Sequence, residues 1–166
     1  MRIVPAVLAT LFLAAGASAA TAPRVSVSSL AQLEVPDAPF AVNADANADV
    51  DAAFARARRD GKRVMIDLGG NWCADCRILA GLMELPEMRA FLASHYELVS
   101  VDVGRFDKNL QIPARFGITT RLDGVPAILV ATPQGQLVNA GRVSAIEDIR
   151  HTTPQAVADW LAQWTP

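Results

Sequence analysis

The sequence predicts a layered α/β domain, and three observations carry that prediction. Helix-like and strand-like segments alternate along the 166 residues, the strand candidates include continuous apolar runs of the kind a sheet buries, and 52% hydrophobic composition is enough for a sizeable core without disulfide staples.

The elements follow in chain order. Residues 1–20 read as a cleaved secretory signal, with Arg2 ahead of an apolar stretch from Ile3 to about Ala15 and Ala17-Ser18-Ala19 as the peptidase site. An uncleaved N-terminal membrane anchor is the alternative, because the apolar stretch is close to the shortest spanning length. Residues 21–42 hold Pro23, Pro36 and Pro39 and no sustained period, so an extended arm is expected. From Asn47 a run with acids early, Arg56, Arg58 and Arg59 late and Gly61 as a stop predicts a helix burying Val50, Ala53, Phe54 and Ala57. Arg63–Leu68 reads as a buried strand, broken by Gly69, Gly70 and Asn71.

A second helix starts at Cys73 with Cys76, Leu79, Ala80 and Met83 on one face, and Pro86 restarts helical structure carrying Met88, Phe91 and Leu92. Tyr96–Val103 alternates as a strand, Asn109–Phe116 is a short helix closed by Gly117, and Ala127–Thr132 is the next strand. Pro133-Gln134-Gly135 then turns the chain into Gln136–Ala140 as a hairpin partner. A last helix runs from the cap Thr153 to Trp164, burying Val157, Trp160, Leu161 and Trp164.

A net charge of −2 from 15 basic and 17 acidic side chains, with no long run of one sign, argues against nucleic acid and anionic membrane surfaces as partners. An exported chain enters a compartment where disulfides persist, and the bacterial periplasm is the expected location. Its two cysteines, Cys73 and Cys76, are separated by Ala74-Asp75. A Cys-x-x-Cys pair serves zinc, soft metals or redox exchange. Zinc needs further ligands, and the remaining candidates, His95 and His151, lack paired spacing, so no metal site is expected. A copper(I) carrier using both thiolates is the alternative from the binding class, and a redox-inert peptide-binding domain is a third. Redox exchange is favoured by position: Cys73 falls after a strand and at the start of a helix, where free backbone N–H groups and the helix dipole stabilise a thiolate. Cys73 is then the exposed nucleophile, and Cys76, one turn later, attacks the mixed disulfide. No cofactor is needed.

The run Ile66-Asp67-Leu68-Gly69-Gly70-Asn71-Trp72-Cys73-Ala74-Asp75-Cys76 resembles the strand, turn and active-site helix of thioredoxins, and Phe116-Gly117-Ile118 with Gly124-Val125-Pro126 resembles their cis-proline segment. The resemblance implies a thioredoxin-like three-layer fold over residues 43–166, with a central mixed β-sheet flanked by helices. It implies a thiol-disulfide oxidoreductase in which Asp67, buried beneath the pair, moves a proton to or from Cys76. Trp72 would form a partly exposed platform for partners, and Pro126 would be cis, with the Val125 backbone pairing with an extended substrate. Exported proteins with cysteine pairs are the implied substrates, a membrane protein of the thiol-relay type the electron donor, and a monomer the expected state. The chain departs from thioredoxins in carrying Ala74-Asp75 between the cysteines and an apparent insertion, Thr119–Asp123. The Asp75 charge disfavours a thiolate and leans the reading toward a reductase or isomerase.

Overall fold

The computed structural model describes residues 19–166, so most of the predicted signal lies outside the described residues. The arm is extended apart from one 3₁₀ turn, Leu30–Gln32, closed by a capping box between Ser29 and Gln32. It lies on the domain: Phe40 is 2% exposed, and Leu33 is also buried.

Helix α1 spans Ala46–Asp60, starting one residue before Asn47 because Asp45 caps it and accepts from the backbone N–H groups of Asn47 and Ala48. Gly61 ends the helix in the left-handed region. Strand β1, Arg63–Gly69, is buried over all but its first residue. Helices α2, Ala74–Met83, and α3, Pro86–His95, follow, then β2, Tyr96–Asp102. The expected Asn109–Phe116 helix shrinks to a single α-turn, α4, Gln111–Ala114, since Asn109 has φ 52° and cannot join it. Strand β3 is Ala127–Ala131, and α5, Pro154–Ala162, is capped by Thr153 and preceded by a 3₁₀ turn, Ile149–His151.

The sheet order is β2-β1-β3, with β1 parallel to β2 and antiparallel to β3. The predicted hairpin partner at Gln136–Ala140 does not form a regular strand. Only Ala131 and Leu137 make a bridge, and Val138 donates to the Val130 carbonyl at 2.8 Å. Beyond it the side chain of Asn139 replaces the backbone ladder: its Oδ1 accepts from Val130 N–H at 2.9 Å, and its Nδ2 donates to the Ile128 carbonyl at 2.7 Å.

Alternation along β1 and β3 divides the core into two clusters, which makes the three layers. Val64, Ile66, Leu68, Ala127 and Leu129 join Val50, Ala53 and Ala57 of α1. Met65, Ile128 and Val130 join Leu79 and Leu82 of α2, Met88 of α3, and Val157, Trp160 and Leu161 of α5. Phe54, Phe91 and Trp164 flank these clusters half-buried.

Candidate redox site

The site forms where β1 ends and α2 begins. Gly69 is the last residue of the strand and Gly70 leaves it, Cys73 N–H donates to the Gly70 carbonyl at 3.0 Å, and Cys73 becomes the N-cap of α2. In that position its Sγ accepts from Cys76 N–H at 3.1 Å, a bond that stabilises negative charge on the sulfur when the pair is reduced. Cys73 and Cys76 are joined as a disulfide, with Cα atoms 5.3 Å apart. Cys76 is fully buried, and Cys73 is 5% exposed. The sulfur expected to be exposed is thus only just reachable, although it remains the more accessible of the two.

Cys73 Sγ lies 3.4 Å from the carbonyl oxygen of Val125, and the Val125–Pro126 peptide bond is cis. The segment before it is anchored by Leu122, 4% exposed, so the stretch Thr119–Asp123 is tied to the core next to Val125. Trp72 is 44% exposed. Its indole N–H donates to the Gly104 carbonyl at 2.6 Å, and its ring meets Phe106 edge-on with centroids 6.2 Å apart. Arg105 stacks over Trp72 at 4.9 Å and Arg121 over Phe106 at 4.3 Å, so the apolar platform has a cationic border.

Asp67 sits mid-strand on β1, 1% exposed, and neither carboxylate oxygen has a hydrogen-bond partner among the described residues. Burial pushes its pKa up to about 7. Asp67 shares a strand face with Gly69. A Cβ added at Gly69 would lie 3.0 Å from Cys76 Sγ, so this is the face on which the buried sulfur sits.

The sequence reading missed four residues here. Arg150 pairs with Asp75, Nε to Oδ1 at 2.9 Å, so the charge between the cysteines is not free to act on the sulfurs as expected. Arg77, the residue after Cys76, reaches back to Asp37 and the Pro36 carbonyl. Phe40, Asn71 and Phe106 complete the surround. Phe40 was marked only by being a large aromatic in a polar, proline-bearing arm. Among the described residues no group of three or more His, Cys, Asp or Glu side chains could hold a metal ion.

A buried disulfide at a helix N-terminus, the Val125 carbonyl ahead of a cis-proline beside it and a buried carboxyl on the central strand define the class: a thioredoxin-fold protein with a Cys-x-x-Cys disulfide, Cys73–Cys76, at its site. The chain belongs to the thioredoxin-like family, whose model matches residues 45–133. It is 37% identical over 91 residues to the thiol:disulfide interchange protein DsbD 1 of Pseudomonas aeruginosa, a match covering 53% of this chain and 14% of that protein. It is 32% identical over 68 residues to a thioredoxin of Alicyclobacillus acidocaldarius, covering 41% of this chain and 60% of that one. The chain therefore spans less than two thirds of the length of either curated relative. The crystal structure of a disulphide isomerase from Xylella fastidiosa superposes with a TM-score of 0.69 at 32% identity, covering 75% of this chain and 95% of that chain.

Proposed function

We propose that this protein exchanges disulfides with cysteine pairs of exported proteins, leaning toward reduction or isomerisation, with Cys73 as nucleophile and Cys76 as resolving thiol. The observation that carries the assignment is the inequality of the two sulfurs. Cys73 caps α2 beside the Val125 carbonyl, whereas Cys76 is fully enclosed and bonded to Cys73.

In the reducing direction the Cys73 thiolate attacks one sulfur of the substrate disulfide, forming a mixed disulfide and expelling the other sulfur as a thiolate. Cys76, its proton passed to Asp67, then attacks Cys73 Sγ, and the remaining substrate sulfur leaves as a thiolate that takes its proton from water. Two electrons move from the protein dithiol to the substrate, and a dithiol donor must restore the pair. A membrane thiol-relay protein suits that role in the periplasm. Because Arg150 pairs with Asp75, the lean toward reduction rests less on Asp75 than on the relatives, two of which carry interchange and isomerase names. Trp72 gives the substrate an apolar seat, and the Val125 backbone pairs with its extended segment.

The test is a pair of variants. Cys73→Ser abolishes reduction of a protein disulfide, while Cys76→Ser traps mixed disulfides visible on non-reducing gels. Equal activity in both variants overturns the roles.

A further inference from the structure

The N-terminal arm lies outside the segment that the family model matches, yet it is bound to the redox loop on both sides of the cysteines. Ahead of them, the Asn71 side chain holds Phe40 twice: its Oδ1 accepts from Phe40 N–H at 2.9 Å and its Nδ2 donates to the Phe40 carbonyl at 2.9 Å. Behind them, Arg77 donates to the Pro36 carbonyl at 2.8 Å and to Asp37 at 2.7 Å. One turn further along α2 the arm comes closer still, since a Cβ at Gly81 would stand 2.6 Å from the Glu34 carbonyl oxygen.

The clasp ends on the sulfur. A Cβ at Gly69 would fall 2.5 Å from Phe40 Cζ and 3.0 Å from Cys76 Sγ, so the phenyl ring and the resolving sulfur border the same space that this glycine leaves open. Phe40 and Cys76 are both buried in one apolar cluster. A ring there removes water from one side of Cys76 and makes its thiolate harder to form.

We propose that the arm is part of the redox site and that Phe40, pinned by Asn71, is a positioning residue that walls Cys76 from water and holds it toward Cys73. The inference rests on the exchange reading above, in which Cys76 resolves the mixed disulfide. The arm then governs how long a mixed disulfide lives, because resolution waits on deprotonation of Cys76.

The experiment titrates Cys76 by thiolate ultraviolet absorbance in the Cys73→Ser protein, where it is the sole thiol. Phe40→Ala is expected to lower the midpoint by about one pH unit, Asn71→Ala to lower it by less, and Phe40→Leu to leave it unchanged. Asn71→Ala keeps the core side chain and so serves if Phe40→Ala does not fold. An unchanged midpoint in folded Phe40→Ala or, failing that, in Asn71→Ala overturns the proposal. The titration needs no substrate, so a shifted midpoint in a protein whose two-cysteine form exchanges no disulfides would overturn the exchange reading and leave the shielding intact.

Discussion

Arg150 Nε donates to Asp75 Oδ1 at 2.9 Å, and the Arg150 backbone N–H faces the same oxygen at 3.4 Å, so the residue between the two cysteines is tied to the turn that precedes α5. The carboxylate is largely covered, with the guanidinium more exposed. Arg150→Gln removes the countercharge and leaves an unpaired carboxylate close to the sulfurs. The dithiol–disulfide equilibrium is expected to move about two- to fivefold toward the disulfide, the scale of a partly exposed ion pair, with Asp75→Asn moving it the other way. Equilibration with glutathione buffers and trapping of free thiols measures both. Identical equilibria in all three proteins would show that Asp75 does not act on the pair.

Asp67 makes stability depend on pH with a definite sign. Its folded pKa, about 7, lies above the ordinary value of 3.8, so the folded protein holds the proton more tightly than the unfolded chain. Stability is therefore greatest below the ordinary value, falls as pH rises through that interval, and levels off above about 7. Asp67→Asn removes this loss and is expected to be more stable than the parent at pH 8, relative to pH 4, by on the order of 4 kcal/mol. Urea denaturation of the oxidised proteins at both values checks this. On the role proposed for Asp67 as proton acceptor for Cys76, the same substitution is expected to remove the inflection near 7 from the pH–rate profile. A profile lowered evenly at every pH would point to packing instead.

Most of this site could be read before any coordinates, because its parts are local in sequence. Gly69-Gly70 ends a strand, Cys73 begins a helix, and Asp67 precedes it at a fixed offset on the same chain segment. What could not be read arises from residues distant in sequence. Arg150 reaches Asp75 across 75 positions, and Asn71 reaches Phe40 across 31, without any pattern to announce either pairing. The failed hairpin is of the same kind. Gln136–Ala140 alternates well enough for a strand, but Asn139 is buried against β3, and its amide makes the bonds a backbone would have made.

Trp72, proposed above as the apolar seat for a partner, is expected to matter more for partner binding than for folding. Trp72→Ala loses one hydrogen bond to Gly104 and an edge contact with Phe106, and leaves Arg105 without its ring. A rise of roughly tenfold in KM for a protein disulfide is expected, with little change toward a small aliphatic disulfide that cannot span the platform. Equal losses for both substrates would mean that Trp72 shapes the reactive loop itself.

Gly69 has no room for a side chain. Gly69→Ala sets a methyl against Phe40 and Cys76, both fully or almost fully enclosed, and a loss of about 1–3 kcal/mol is expected. Thermal or urea denaturation measures it. Phe40→Leu in the same chain is expected to recover part of the loss by shortening the opposing side chain, whereas strictly additive costs would place the strain elsewhere.

A sheet of three strands has two open flanks, and an open flank invites a second molecule to add a strand. On the β3 side Asn139 closes that flank with an amide that mimics a peptide group but has no chain continuing beyond it. Val130 N–H and the Ile128 carbonyl are satisfied, and among the described residues no regular strand lies outside β3 for a neighbour to copy. Together with the backbone bonds that pair Ile128 with Val143, Val130 with Val138 and Thr132 with Gln136, that side chain leaves the β3 flank little to offer an added strand.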